Sequence, residues 1–390
     1  MKSTKLYNLS LSIVFFAAII GCQKSDTQPD YGISSPIDKD YLNGERYNPT
    51  TPEDGTPNIA GYEIQWSDEF SGTELNTEIW DYEEGLVDLR TKGLQHFSRN
   101  NVSVKAGELI MTLKKESANN DKYDSTYSNV IIEDEEFPNR VEDWMNPDVI
   151  MQGDTIFDPN AWIKNRVSSD FTSASLIVKD EEEFKFKLGR IELRAKLPVT
   201  QDGIYPGVRA FGVDFTDNAG EQLPLNWPAC GEISVMRFLN DEISSGLCIE
   251  SADYLMPAWR HATKKPSFYT TGANPYWAEQ YHIWVVEREM SSIKFYLDGV
   301  LFHEIATTNV ANLNNTYQER RNSAKDPIVN VQTTNPAGSL DIYNPINSTA
   351  SFLMNLSLVI REMSDGSIPV VDKDANFNID YIRVYKKPEL

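Results

Sequence analysis

The feature that most constrains the fold is a repeated alternation of apolar and polar residues in short runs. In residues 291–305 the alternation continues on both sides of Asp298-Gly299, a dipeptide that accepts the positive φ angles of a type I′ turn, so this segment predicts a β-hairpin. Similar runs, each typical of a strand, read SASLIVK, GRIELRAKL, YHIWVVERE, ASFLMNLSLVI and FNIDYIRVYKK. Helical patterns with caps are scarce. The sequence therefore predicts an all-β domain of two packed antiparallel sheets, a sandwich or jelly roll.

The N-terminus has the pattern of an exported protein. Two lysines precede an apolar run at residues 13–20, which is followed by Gly21 and Cys22. The run is too short to span a bilayer as a mature helix and is typical of a signal peptide. Ile-Ile-Gly-Cys resembles a bacterial lipobox, which predicts that residues 1–21 are removed and that Cys22 is acylated. An ordinary signal peptide with an incidental cysteine is the alternative.

The rest of the chain divides into a tether and one domain. Residues 22–58 are rich in Pro, Asp, Ser, Thr and Gly without apolar periodicity, which predicts a flexible tether behind the lipidated cysteine. Residues 59–390 are long enough for one large all-β domain. An acidic insertion at about 117–170 contains Trp144 and Trp162, which either extend a binding cleft or anchor the loop to the sandwich.

Charge and cysteine content exclude several functions. The chain has 36 Lys and Arg residues against 58 Asp and Glu residues, a net charge of −22, and such a surface repels nucleic acid. Cys230 and Cys248 could form a disulfide, but they lack the neighbours that a zinc site needs. The four histidines match no catalytic or metal spacing, so we expect surface or packing roles for them.

Five motifs follow one another in order along the domain. They read WSDEFSGTELNTEIWDY at 66–82, FKFKLGRIELRAKLP at 184–198, WPACGEISVMRF at 227–238, IKFYLDGVLF at 293–302 and NIDYIRVYKK at 378–387. Together they resemble glycoside hydrolase family 16, the laminarinase, lichenase and agarase type of β-glycanase, over residues 62–387. The resemblance implies a jelly-roll sandwich with a glycan-binding cleft across its concave sheet.

The resemblance breaks at the catalytic strand. In the family this strand reads Glu-x-Asp-x-x-Glu, in the order nucleophile, helper and acid/base. Glu232 takes the nucleophile position, but Ser234 stands at the Asp position and Arg237 at the acid/base position. A residue five positions along shares the nucleophile's face only if a one-residue bulge intervenes. Arginine has a pKa above about 12 and cannot act as the acid, so the motif predicts a domain with most of its chemistry removed.

Other cleft positions differ from the family in the same direction. Tyr205 and Arg209 stand where two tryptophans are usual, and Cys248 replaces a histidine. The resemblance implies that these residues bind glycan together with Trp227 and Arg237. Tyr205 could still stack on a pyranose ring, and the two arginines suggest a preference for an anionic glycan over a neutral one.

Two further expectations concern a replacement acid and a metal. A hairpin turn near residues 240–241 places Glu250 beside Cys230, far from Arg237, so we do not expect it to replace the acid. The family often carries a structural calcium. The matching positions are the backbone oxygens of Glu69 and Gly107 and the carboxylate of Asp380. In the alternative, Asp380 only hydrogen-bonds a neighbouring loop. No cofactor is expected for the chemistry.

The sequence as a whole favours a polysaccharide-binding lipoprotein at the outer membrane or cell surface, with impaired hydrolysis. Its expected partners are a polysaccharide or oligosaccharide and, through the acyl anchor, the lipid bilayer. One alternative is an active hydrolase of a β-glucan or algal galactan, with a replaced acid. The other is a surface adhesion or assembly protein that uses the cleft for another protein.

Overall fold

A computed structural model of the chain describes most of the predicted domain. The residues described are 59, 61–86, 93–126, 132–133, 150–152, 155–157, 164–198, 203–213, 215–216, 222–223, 227, 230–239, 242–250, 257–265, 277–306, 316–320, 328–333, 350–363 and 365–388. The predicted signal peptide, Cys22, the tether and both tryptophans of the insertion lie outside them. In the part of the chain described, no helix is both long and apolar enough to span a bilayer.

The described chain is built almost entirely of strands. In chain order they are β1 (Glu63–Asp68), β2 (Trp80–Tyr82), β3 (His96–Phe97), β4 (Val102–Lys105), β5 (Glu108–Leu113), β6 (Ala118–Asn119), β7 (Ile132–Glu133), β8 (Ile150–Gln152), β9 (Thr155–Phe157), β10 (Ser168–Ser169), β11 (Thr172–Ser173), β12 (Ser175–Val178), β13 (Gly189–Lys196), β14 (Ile204–Val213), β15 (Phe215–Thr216), β16 (Gln222–Leu223), β17 (Glu232–Leu239), β18 (Glu242–Glu250), β19 (Pro257–Lys264), β20 (Tyr281–Arg288), β21 (Ser292–Leu297), β22 (Val300–Ala306), β23 (Thr316–Arg320), β24 (Ile328–Thr333), β25 (Ser351–Ile360) and β26 (Ala375–Lys386). Short 3₁₀ helices occur at Arg99–Asn101, Glu182–Phe184 and Trp277–Glu279.

Two large sheets form the sandwich. The ten-stranded sheet has the order β23-β24-β22-β21-β20-β13-β26-β5-β4, with β1 also paired to β26. The seven-stranded sheet has the order β19-β18-β17-β14-β25-β12-β2. The pairings are antiparallel in both sheets, except that β22 and β24 run parallel. The prediction of an all-β sandwich is confirmed.

The Asp-Gly segment forms the predicted hairpin. Leu297 at the end of β21 pairs with Val300 at the start of β22. Asp298 and Gly299 between them have φ angles of 50° and 74°. Positive φ at both central residues is the geometry that a type I′ turn requires.

The core lies between the two sheets and follows from strand alternation. On β13, Ile191, Leu193 and Ala195 are buried in the core, while the intervening charged residues point to the other face of the ten-stranded sheet. On β25, alternate residues from Phe352 to Ile360 join the same core. Each sheet therefore has an inner face in the core and an outer face, and the candidate site lies on the outer face of the seven-stranded sheet.

The insertion begins and ends in paired strands. β6 pairs antiparallel with β10, and β7, β9 and β8 form a small sheet of their own. The side chain of Asn120 also joins the two ends of the insertion, since it donates to the carbonyl oxygen of Arg166 over 2.7 Å. The sequence of this region shows no strand periodicity, because the paired segments are only two or three residues long.

β17 contains a one-residue bulge at Val235. Along β14, Val208 pairs with Met236 and Arg209 pairs with Ser234, which leaves Val235 without a partner of its own. The pairing of β17 with β18 shifts over the same stretch. Val235 and Met236 are both buried in the core, as expected where a bulge turns two consecutive residues to one side.

Candidate functional site

The bulge decides which residues of β17 share the outer face. Glu232 and Ser234 lie on that face because they are two positions apart. Regular alternation would send Arg237 into the core, but the extra residue Val235 returns it to the outer face. The geometric condition that the catalytic motif requires is therefore met, with a carboxylate, a hydroxyl and a guanidinium on one face.

Glu232 is held by several hydrogen-bond donors. It is 4% exposed, and its two carboxylate oxygens accept from the indole Nε1 of Trp227 over 3.0 Å and from the hydroxyl of Ser234 over 2.7 Å. The Nε atom of Arg209 lies 3.6 Å from the oxygen that Ser234 contacts. These contacts fix the orientation of the carboxylate.

His261 completes this group from β19. Its Nε2 lies 3.1 Å from the Ser234 hydroxyl oxygen, across the position of Gly246 on the strand between them. A Cβ on Gly246 would approach the His261 ring to 2.6 Å, so only glycine leaves room for this contact. Burial, with the nearby charge of Arg237, lowers the pKa of His261 to about 3. The imidazole is therefore neutral, and it donates from Nε2 because the single Ser234 hydrogen goes to Glu232.

The contact of His261 with Ser234 is not expected from the sequence, which predicts a surface or packing role. Alternation along β19 could have placed His261 on the outer face. Its contact with Ser234, however, depends on the lateral pairing of three strands. His282 and His303 do fit packing roles. His282 stacks on Trp277 and lies 2.7 Å from Asp298, and His303 is buried against a backbone carbonyl.

Tyr205 lies under two arginines. The guanidinium carbon of Arg237 is 5.2 Å from the centre of the Tyr205 ring, and that of Arg361 is 5.6 Å from it. Tyr205 is 1% exposed. A pyranose ring therefore cannot stack on Tyr205 in this arrangement, which differs from the sequence-based expectation. The phenol supports two cations instead, an arrangement that the quadrupole of an aromatic ring favours.

The guanidinium of Arg209 already contacts other side chains of the protein. Besides its contact with Glu232, it donates from Nη1 to the Ser357 hydroxyl over 3.4 Å and is 6% exposed. Gly207 makes space for it, since a Cβ there would lie 2.9 Å from Arg209 Nη2. The expectation that Arg209 offers its charge to a ligand does not fit this position, because the guanidinium compensates the Glu232 carboxylate.

The two cysteines beside the site are buried and are not joined by a disulfide. Cys248 pairs with Glu232 across the β17–β18 register and is fully buried, and Cys230 is 5% exposed. Burial, helped by the charge of Glu232, raises the pKa of the Cys248 thiol far above its usual range. Cys248 is thus a neutral, small apolar side chain here. The register also carries the backbone of Glu250 beyond Cys248, away from Arg237, which pairs with Ser244.

The predicted calcium ligands do not form a fitting site. The Asp380 carboxylate accepts from Nη1 of the fully buried Arg194 over 2.7 Å. A guanidinium already neutralises that carboxylate, so a dication at the same oxygens would meet a positive charge. In the described part of the chain, no group of three or more His, Cys, Asp or Glu side chains could hold a metal ion. The geometry favours the alternative, a structural role for Asp380.

Comparisons with known proteins agree on the fold of this chain. No family model matches the chain. The catalytic domain of a Thermotoga maritima laminarinase superposes with a TM-score of 0.54 and 20% identity, over 84% of this chain and 99% of that one. The fold is laminarinase-like. A structure from work on endo-acting O-glycanases of the human gut microbiota has a TM-score of 0.56 and 23% identity, over 85% of this chain and 92% of that one.

A curated relative agrees with these structures. The chain is 27% identical over 348 residues to glucan endo-1,3-beta-glucosidase A1 of Niallia circulans, which is 86% of this chain and 39% of that protein. The chain thus spans about two fifths of the length of that relative. Together the comparisons show a glycoside hydrolase family 16-like fold, as the five motifs imply.

Proposed function

We infer that this domain binds a β-linked polysaccharide or oligosaccharide on the outer face of its seven-stranded sheet and has largely lost hydrolysis. The observation that carries the inference is Arg237. It takes the acid/base position, on the same face as Glu232, and stacks on the buried Tyr205 ring. The charge of the Glu232 carboxylate acts on Arg237 and favours its charged form.

The loss of hydrolysis follows from the chemistry of retaining glycosidases. Such an enzyme needs two carboxyl groups about 5–5.5 Å apart, one to attack the anomeric carbon and one to protonate the leaving oxygen. Arg237 has no proton to release at working pH. Losing general acid–base assistance costs about 10²–10⁴-fold in rate. Glu232 is also held by Trp227, Ser234 and Arg209, which limits its freedom to attack.

The glycan class is proposed from the relatives. The curated relative and the Thermotoga maritima structure are named for 1,3-β-glucan or laminarin, and the gut structure for O-glycans. We therefore propose a β-1,3-glucan as the first candidate ligand and an O-glycan as the second. An active hydrolase is the second candidate function, and the name of the curated relative supports it.

The loss of hydrolysis can be tested in the wild-type chain and in variants that restore the two missing carboxylates. We expect the wild-type chain to bind laminarin or mixed-linkage β-glucan without releasing reducing ends. Because the bulge holds both positions on one face, Ser234→Asp with Arg237→Glu should raise release by about 10²-fold or more, whereas Ser234→Asp alone should not. Wild-type turnover of ~1–10³ s⁻¹ that Glu232→Gln abolishes would instead establish the active hydrolase.

The location is proposed from the lipobox-like sequence. Acylation of Cys22 would tether the domain to the outer membrane or cell surface, where polysaccharide is accessible. Metabolic labelling with a fatty acid should tag the wild-type chain and not the Cys22→Ala variant. Equal labelling of both chains would refute the anchor.

A further inference from the structure

We propose that Arg237 and Arg361 form a binding site for an anionic group of the glycan, a sulfate or a carboxylate. The proposal rests on the proposed glycan-binding function and names the class of glycan. It differs from the sequence-based expectation in its residues, since Arg361 takes the place that Arg209 was expected to hold.

The first observation is that two guanidinium groups converge on one ring. Arg237 comes from β17, and Arg361 directly follows β25, on the other side of β14. Their guanidinium carbons lie 5.2 Å and 5.6 Å from the centre of the Tyr205 ring. Both arginines are partly exposed, so a ligand can reach them. The charge of Arg361 lowers the pKa of Arg237, so the two cations repel each other unless an anion lies beside them.

The second observation is that neither side chain is ion-paired with a residue that the structure describes. Within the residues that the structure describes, the side chains of Arg237 and Arg361 make no ion pair and no hydrogen bond, and their contacts are with Tyr205. The nearest carboxylate, Glu232, is already held by Arg209 at 3.6 Å and by two neutral donors. The charge of Glu232 is therefore already compensated by Arg209 and does not neutralise Arg237.

The chemistry of guanidinium selects the ligand. Each group offers a planar set of donors that matches two oxygens of a carboxylate or sulfate. The Tyr205 ring contacts both groups without using those donors. The net charge of −22 slows the approach of a polyanion, but screening beyond about 8–10 Å limits that repulsion at physiological salt.

The test compares matched ligands on the purified chain. Laminaripentaose is used unmodified, 6-O-sulfated and oxidised at C6 to the uronate, and affinities are measured by calorimetry. We expect at least one anionic form to bind about 10- to 100-fold more tightly than the neutral parent. Arg237→Met and Arg361→Met should each remove most of that preference. The form that is preferred shows whether the group is a sulfate or a carboxylate.

Arg99 provides the matched control. It also lies over a tyrosine, 5.1 Å from the centre of the Tyr82 ring, but it is paired with Glu84 at 2.6 Å. Arg99→Met removes the same charge and the same kind of stacking, so it should leave the preference unchanged. A second readout is the rise in melting temperature caused by inorganic sulfate over chloride at equal ionic strength. That rise should be smaller in Arg237→Met and Arg361→Met than in Arg99→Met.

The outcomes separate the two proposals. Equal affinity for neutral and anionic forms, or a preference that survives both arginine substitutions, overturns the anion site and leaves glycan binding intact. If no pentasaccharide binds while sulfate still stabilises the chain through Arg237 and Arg361, the anion site stands and the proposed β-1,3-glucan class is wrong. No binding and no sulfate effect overturns both.

Discussion

The arginines on the outer faces of the two sheets differ in whether a carboxylate pairs with them. On the ten-stranded sheet, every described arginine of β13 and β26 has a carboxylate within 2.8 Å. These pairs are Arg190 with Glu192 and Glu287, Arg194 with Asp380, and Arg383 with Glu69. On the seven-stranded sheet, Arg237 and Arg361 stack on Tyr205 without such a partner among the described residues. The first face pairs its arginines internally, whereas the second pairs Arg209 with Glu232 and leaves Arg237 and Arg361 without a carboxylate partner among the described residues.

The protonation equilibria show the same contrast. Burial disfavours the charged form of Arg190, yet Glu192 and Glu287 raise its pKa above the usual value. Burial lowers the pKa of Arg237, and the charges of Arg209 and Arg361 lower it further. Stability therefore depends on the charges of the first face, whereas those of the second face add little to it.

The largest expected effect comes from breaking a pair on the ten-stranded sheet. Arg194→Met leaves the Asp380 carboxylate buried without its cation, so we expect the free energy of unfolding to fall by about 3–5 kcal/mol. Urea denaturation measures it. Lys187→Met, which removes an exposed contact to Glu182, should cost less than about 1 kcal/mol. A loss at Arg194 no larger than that of the control would contradict the comparison.

An intermediate effect is expected from pH on the seven-stranded sheet. The pKa of His261 is about 3 in the folded chain, with burial and Arg237 as its main causes, and about 6.5 when unfolded. Below pH 6.5 the unfolded chain therefore binds a proton that the folded chain does not. Folding stability should fall as pH decreases from 6.5 towards 3, by about 1 kcal/mol between pH 6 and pH 5.

Denaturation curves at several pH values would measure this effect. The His261→Gln variant keeps a donor for Ser234 but does not titrate, so its curve should lack this contribution. If the two chains lose stability in parallel between pH 6 and pH 5, His261 is not the group responsible.

The smallest effect is expected for the unpaired arginines. Arg237→Met removes a cation–π contact worth about 0.5–2 kcal/mol but also removes a desolvated charge and its repulsion of Arg361. Because these terms oppose each other, the free energy of unfolding should change by less than about 1 kcal/mol in either direction. A loss similar to that of Arg194→Met would show that Arg237 has an internal role after all.

Much of the scaffold could be predicted because it depends on local pattern. Alternation and the Asp298-Gly299 turn predict the strands and the hairpin, and the spacing of the catalytic motif requires a bulge before Arg237, which the structure contains. These features depend on residues close in sequence. The five motifs add the order of the elements.

The contacts of the site could not be predicted in the same way. Arg361 reaches Tyr205, and His261 reaches Ser234, only because β19, β18, β17, β14 and β25 lie side by side in that order. Lateral order is set by the whole fold. The burial of Tyr205 and the pairing of Asp380 with Arg194 have the same origin. Composition alone cannot tell a paired arginine from an unpaired one.

The bulge at Val235 has a consequence for how this surface can diverge. Residue 237 can be exchanged for another amino acid and still point outward, because the strand keeps its length. Deleting Val235 would remove the bulge and leave a regular strand, in which Met236 and Phe238 still point into the core and residue 237 still points outward. Relatives that share this site should therefore present positions 234 and 237 on the outer face both with and without a one-residue gap between them.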